Sequence, residues 1–354
     1  MTMLFYILDA SLDIIAAVDT YKSAIWTRRY YQSGDFELYV PATDEALELM
    51  KANRYIIRAD DTSQCAIIER VKITTDAEEG NYIIITGRTL QSILGRRIMW
   101  KQTTLSGGVE KVIRNMIRKN FIEPEIPARQ IANLTLGAEL GADNAVKIQY
   151  TGDNIEEAIQ DLCKTYKLGY NIRLDLEAKQ FIFELYRGAD RSYTQSENPF
   201  VVFSNDFENL LSTEYTSDGT NFKNVVQVAG EGEGTARKKV TVGSAAGLER
   251  FETFVNASQV SANEGEVTED VYLSLLTQEG IEALAATGVK EAMDGEVEAN
   301  YTYKLGVDYF LGDVVEVINE YGIAMTPRVT EIIESQSETG YTCIPTFTQD
   351  EEGD

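Results

Sequence analysis

The chain opens on period-two alternation. Apolar runs at Leu4–Leu8, Leu12–Val18, Ala24–Tyr31 and Phe36–Val40 are separated by turn residues at Asp9–Ser11, Asp19–Ser23 and Ser33–Asp35. Tyr30, Tyr31, Phe36, Leu38 and Val40 give the ring-rich pattern of a half-buried strand pair. After Pro41, Thr43 stands where an N-cap belongs, ahead of a short helix over Asp44–Ala52 with acids in its first turn. Strands follow at Tyr55–Arg58, Ala66–Thr74 and Tyr82–Gly87. About seven strands and one helix before residue 90 are enough to close a small barrel or sandwich.

Near Leu90 the period changes. In VEKVIRNMIRKNF, residues Val109, Val112, Ile113, Met116 and Ile117 fall on one helical stripe. Asn154 caps a second helix, with Ile155, Ile159, Leu162 and Tyr166 on one face, and a hairpin follows over GYNIRLDL and QFIFELYRG. Strand texture returns at FVVFSNDF, NVVQVAGEG, VVEVINEYG and RVTEIIES, interrupted by a Gly- and Ala-rich stretch and a helix from Thr268 to about Ala286. The pattern predicts a mostly β chain with α/β insertions. Its units are a first β-domain over 1–100, an α/β unit over 101–200, a second β-domain made of 201–234 and 291–354, and an inserted region over 235–290.

The chain also echoes itself. Ile68–Ile73, a turn at Glu78-Glu79-Gly80 and Tyr82 parallel Pro327–Ile332, Glu338-Thr339-Gly340 and Tyr341. GDFELYVP at 34–41 has the shape of GDVVEVIN at 312–319. Such a pattern is what two copies of one β-domain would leave, and it is also what unrelated hairpins share.

Composition narrows the chemistry. The 354 residues include no histidine, which removes the usual general base, the usual partner of a Ser or Cys nucleophile and the commonest metal ligand. Cys65, Cys163 and Cys343 lie far apart in odd number, fitting neither a disulfide framework nor a zinc site. No N-terminal leader pattern and no membrane-length apolar run is present. Gly230-Glu231-Gly232-Glu233-Gly234 follows a strand, but no apolar helix comes next and its acids would repel a phosphate. The acid pairs Asp60-Asp61 and Glu156-Glu157 read as a surface turn and a helix start. No catalytic residue, cofactor site or metal site is expected.

The charge is uneven. Of a net −25, residues from Arg191 onward carry 30 acids against 9 bases. That half repels DNA and anionic lipid. Solubility accounts for it, and so does a place beside a path that a polyanion must traverse without sticking.

Arg28 and Arg29, in IWTRRYYQSGDFELYVP, are the exception inside this acidity. Neighbours on a strand point to opposite faces, so the pair cannot serve one ligand. Ring stacking and carboxylate pairing, holding a sheet surface or a subunit contact, is the role this setting suggests. The structural and interface candidates are Trp26, Arg28, Arg29, Tyr30, Gly34, Asp35 and Phe36, with Arg70, Gly312, Asp313 and Arg328 from the echoed stretches.

IWTRRYYQSGDFELYVP, GRTLQSILGRRI at 87–98, LGYNIRLD at 168–175, YRGADRS at 186–192, VVFSNDFENLLSTEY at 201–215 and NFKNVVQVAGEGEG at 221–234 resemble the Gp-thirty-seven-like tail protein family of siphophages. GLERFETFV at 247–255 and YFLGDVVEV at 309–317 agree, so the resemblance runs along nearly the whole chain. It implies a tail-tip or baseplate hub similar to those of contractile phages: a homotrimer whose subunits each carry two tail-tube-like β-barrel domains and two smaller accessory domains. Three subunits would then match a sixfold tube to a threefold tip and enclose a channel for transient, non-specific passage of DNA. Implied partners are the distal tail protein or tail tube, the tape-measure protein and receptor-binding or fibre proteins. The implied location is the virion tail tip, assembled in the host cytoplasm. A chain ending at FTQDEEGD is expected to be the bare hub without a fibre or peptidase extension. The rival readings are a tail-tip glycan or peptidoglycan hydrolase, needing two buried acids on one cleft, and a host-surface carbohydrate-binding module, needing clustered exposed rings.

Overall fold

The computed structural model describes residues 3–76, 80–234, 237–262, 267–297 and 302–349. An eleven-stranded sheet organises it. Its strands, in chain order, are β1 (Phe5–Leu8), β2 (Ile14–Val18), β3 (Ser23–Arg29), β4 (Asp35–Pro41), β5 (Tyr55–Arg58), β6 (Cys65–Asp76), β7 (Gly80–Thr89), β8 (Leu210–Asp218), β9 (Lys290–Val297), β10 (Arg328–Ser337) and β11 (Gly340–Thr348). In space they run β8-β9-β11-β10-β3-β4-β7-β6-β5-β1-β2. The seven strands read in the first ninety residues are all present. Thr43 Oγ1 caps α1 (Asp44–Leu49) by accepting from Ala46 N, and the helix stops a turn earlier than expected.

Two parts of this sheet have one plan. The sets β3-β4-β7-β6 and β8-β9-β11-β10 use the same chain order and the same antiparallel pairings. A row of paired residues crosses the first set as Trp26, Phe36, Gly87 and Ile68, and the second as Tyr215, Met293, Phe347 and Val329. Directly after that row both sets carry a β-bulge, at Glu69 and at Thr330. From the bulge to the turn the hairpins then pair the same number of residues: Arg70↔Thr86 down to Asp76↔Gly80, and Glu331↔Thr346 down to Ser337↔Gly340. A bulge bends and twists a strand at one place, so its recurrence at one register marks a shared shape. The echo between 68–82 and 327–341 falls on these two hairpins but two residues out of register, since the structure sets Ile68 against Val329 rather than Pro327; Glu78 and Glu79 of the first turn lie outside the described residues. The GDFELYVP echo does not: the counterpart of β4 is β9, while Glu316–Ile318 pairs with Val202–Ser204 and Ala324–Met325 in a separate sheet.

The α/β unit builds α2 (Val109–Ile117), continued by a wider π turn to Ile122, and α3 (Ile155–Thr165). Asn154 Oδ1 accepts from the Glu156 and Glu157 amides, so the sequence cap forms. The stripes of both helices share one core with Tyr170, Phe183 and Leu185 of the hairpin Gly169–Asp175 and Gln180–Tyr186. All three cysteines are free and buried. Val225–Ala229 pairs with Lys239–Val242 and Glu252–Asn256 under α4 (Glu269–Ala286), not with the large sheet. This folded unit therefore starts before residue 235, and it occupies the β8-to-β9 connection, where the first set has only the tight loop 30–34.

The inserted unit docks on the α/β unit through polar groups. Ser261 N donates to Gln149 Oε1 at 2.7 Å, and Tyr166 Oη lies 3.4 Å from Gln278 Oε1. Glu279 and Glu282 on α4 are half-buried here. Burial, together with Asp161 and, for Glu279, Glu282 and Asp153, pushes both carboxyls up to about 7. A carboxyl raised above its ordinary value penalises the docked state when ionised and ceases to do so once protonated. Docking of α4 should therefore tighten as pH falls from 8 through 7 towards 4.5. Amide hydrogen exchange of α4, corrected for intrinsic rate, should be slower at pH 6 than at pH 8, and Glu279→Gln should flatten that difference.

Candidate functional site

The two four-stranded sets meet where β3 pairs with β10, from Arg29↔Glu331 to Ser23↔Ser337. Charge flanks this seam on both faces. Arg29 Nε donates to Glu331 Oε2 at 2.5 Å and its Nη1 to Asp35 Oδ2 at 2.5 Å. On the other face Arg28 Nη2 lies 2.9 Å and Arg58 Nη1 2.6 Å from the same Glu334 Oε2, while Tyr341 Oη donates to Glu334 Oε1 at 2.8 Å. Arg58 is also held by Asp60, and both Arg58 and Glu334 are buried. Burial alone would raise the Glu334 carboxyl. Arg28, Arg58 and the hydrogen bonds outweigh it and hold the group below its ordinary 4.5.

At the end of β3, Tyr30 joins three units. Its ring is fully buried and its hydroxyl lies 3.2 Å from Lys167 O and 3.4 Å from Tyr186 O of the α/β unit. Arg328 stands over the ring at 5.3 Å and donates to Gly312 O at 2.6 Å. A Cβ on Gly169 or Gly312 would fall 2.4 or 2.3 Å from the Tyr30 ring, so both positions need glycine, and Gly312 also has φ +95°. Asp313 accepts from Ala189 N (2.7 Å), Arg191 Nε (2.6 Å) and Phe310 N (3.0 Å), tying the 187–191 linker to the second set. A cavity of about 460 Å³ lies beside the seam, lined in part by Arg28, Arg29, Arg187, Arg191 and Asp313.

Of the eleven residues singled out from sequence, ten collect at or beside this seam. Trp26 stacks on Phe36 at 5.7 Å in the core under it. Gly34 sits where a Cβ would come 2.0 Å from Thr27 O, and its N–H donates to Thr89 Oγ1. Arg70 is the exception: it is exposed on the free side of β6 and has no ion-pair partner among the described residues. The sequence reading missed Glu331, Glu334, Arg58 and Tyr341. The signal was present in RVTEIIES, where two acids interrupt an otherwise apolar strand, but only the strand pairing says which arginines they face.

Two edges of the sheet carry the same geometry with no strand on their outer side among the described residues. Residues 70–76 of β6 correspond to 331–337 of β10, yet among the described residues 70–75 have a strand, β7, on one side alone, because β5 covers only Cys65–Ile67. Residues 212–218 of β8 correspond to 23–29 of β3 and pair only with β9.

Solved tail proteins share this fold. The structure superposes on the tail protein from Neisseria meningitidis MC58 with TM-score 0.62 at 14% identity, covering 99% of this chain and 97% of that one. It matches the 43 kDa tail protein of prophage MuSo2 from Shewanella oneidensis with TM-score 0.60 at 12% identity over 98% of both chains. The prophage tail protein gp18 from Listeria monocytogenes EGD-e gives 0.54 at 12% identity, covering 99% of this chain and 95% of that one. No curated protein sequence matches. The chain belongs to the Siphovirus ReqiPepy6 Gp37-like protein family, whose model matches residues 4–347.

Removing Glu334 leaves two guanidiniums facing each other in the seam. Glu334→Ala should cost about 3–5 kcal/mol of unfolding free energy by denaturant titration, the usual penalty for breaking a buried pair. Because the Glu334 pKa is depressed, its contribution is complete above the ordinary carboxylate value of 4.5 and is lost as pH falls below it. A wild-type-minus-variant stability difference that grew on acidification below pH 4.5 would contradict the assignment.

Proposed function

We propose that the protein is a tail-tip hub in which three chains close a ring, adapt a sixfold tube to a threefold tip and leave a channel for DNA. The repeated four-stranded set, joined once inside the chain, carries this reading. Inside the chain, the first set meets the second through β3 and β10. Among the described residues, each chain leaves two equivalent edges, β8 and residues 70–75 of β6, without a strand on their outer side. Exposed edges template pairing with another chain, and a head-to-tail contact closes into a ring when its rotation allows. Three internal and three external junctions would give six similar positions from three chains. The domain plan that goes with this is two tube-like units, from residues 3–100 and from 201–218 with 290–349, plus the α/β unit and the inserted unit.

Transferring the register of the internal junction to the external one pairs Arg70 with Asp218, Lys72 with Thr216 and Ile73 with Tyr215. The internal Arg29–Glu331 pair becomes Asp218–Arg70, with the charges exchanged. Lys72 then stands diagonal to Glu214, a reach that opposite charges use across strands. Arg70 and Lys72 are exposed, Asp218 is fully exposed, and Ile73 is an apolar side chain 58% open to water. These are features an edge needs when it is covered later.

Non-enzymatic action is part of the proposal. Asp313 spends its oxygens on three donors, Asp60 is held by Arg58, and Asp61 closes its own turn onto Ser63 and Gln64. The acidity of the second half suits a conduit, since basic contacts would retain the genome. Distal tail, tape-measure and fibre proteins would be the partners.

Sedimentation of the purified chain should give a species of three 39.5 kDa subunits. Arg70→Asp should shift it towards monomer, and Arg70→Asp combined with Asp218→Arg should restore the trimer. A wild-type monomer at every concentration, or a trimer indifferent to both charges, would sink the ring. Cell-wall turnover by the pure protein would overturn the non-enzymatic assignment.

A further inference from the structure

The segment Arg96–Arg129 carries eight Lys and Arg against three acids, in a chain whose net charge is −25. One of the eight, Arg114, is used inside the fold, donating to Gly137 O and Ala138 O. Arg96, Lys101, Lys111, Arg118 and Lys119 are exposed and Arg97 and Arg129 are half-buried. Lys101, Lys119 and Arg129 stand on the rim of a groove of about 300 Å³ with Trp100, 62% exposed, at its mouth. Its floor is apolar: Met99, Leu105 and Met116, all buried. Ile98 and Ile126, 40% and 39% exposed, extend the apolar surface beside it.

Among the described residues, these cations outnumber the acids that meet them. Lys101 pairs with Glu125, and Lys119 also acts on that one carboxylate. Arg129 donates to Ile98 O and Asn120 Oδ1 and lies 5.7 Å from the Trp100 ring, with no ion pair to an acid among the described residues; burial and the neighbouring charge of Arg97 lower its pKa. Arg97 Nε is buried with no hydrogen-bond partner among the described residues. Like charges crowded beside exposed Trp and Ile, over an apolar floor, describe a protein-docking hot spot awaiting acceptors.

We propose that this groove docks an acidic peptide segment of a partner protein, one apolar side chain seated on Met99, Leu105 and Met116 and flanking carboxylates meeting Lys101, Lys119 and Arg129 on its rim. The alternatives fit the chemistry less well. Single-stranded nucleic acid uses successive rings for successive bases, and this site offers one. A neutral glycan leaves the cations unanswered. The groove uses no residue of the β6 or β8 edges, so the inference stands or falls apart from the ring.

The chain has only two tryptophans, Trp26 buried and Trp100 exposed, so acrylamide quenching of native protein reads the groove directly. The probe is a synthetic peptide with Phe flanked on each side by two Asp or Glu residues, and the comparisons are its Lys analogue, polygalacturonate and oligo-dT. At low salt the acidic peptide should shield Trp100. Lys119→Glu should weaken its binding at least tenfold, and Trp100→Ala should remove the signal while the shielded emission of Trp26 reports an intact core. Three results would overturn the proposal: no shielding up to millimolar acidic peptide, equal shielding by the Lys analogue, or shielding by polygalacturonate or oligo-dT alone.

Discussion

One strand pairing organises this protein. β3 and β10 are some three hundred residues apart in sequence, and their contact turns two four-stranded sets into a single sheet. Backbone hydrogen bonds supply the continuity. The side chains supply the register, because Arg29 must meet Glu331 while Arg28 and Arg58 share Glu334. A slip of one residue would send each of these charges to the opposite face, where its partner is not. Burial makes the choice steep: a mispaired Glu334 or Arg58 would be an uncompensated charge in the interior.

The other units are fastened to that seam. Tyr30 projects from the end of β3 into the α/β unit, and Gly169 and Gly312 are bare so that two backbones can approach its ring. Asp313 ties the linker that leaves the α/β unit. The inserted unit hangs on a connection that is a short loop in the first set, and it rests on the α/β unit through contacts that carry titratable carboxyls. The arrangement places strong interactions where the copies join and adjustable ones where the accessory units touch.

Much of this was legible in the sequence because local signals carried it. Alternating apolar residues, the Asn154 and Thr43 caps and the helical stripes gave away element types, though α1 ends a turn before the pattern implied. The importance of IWTRRYYQSGDF was readable from strand alternation, which separates Arg28 from Arg29. What escaped was non-local. The acids that answer these arginines lie in RVTEIIES, and only pairing identifies them. NVVQVAGEG reads as a strand of the second β-domain because strand pattern does not say which sheet a strand joins; in space it lies beneath α4. GDVVEVIN imitated GDFELYVP because a Gly-Asp turn before an alternating strand is common, whereas the register across four strands, with a bulge at one place, is not.

The central claim is that the junction formed once inside the chain is formed again between chains, in the same register. Cysteines placed at Thr74 and Glu214, which face each other in the transferred register, test it most directly, because the native Cys65, Cys163 and Cys343 are buried. Mild oxidation of the double variant should give covalent dimers and trimers and stop there, while each single variant stays uncrosslinked. Absence of inter-chain bonds, or a ladder running past three chains, would contradict it.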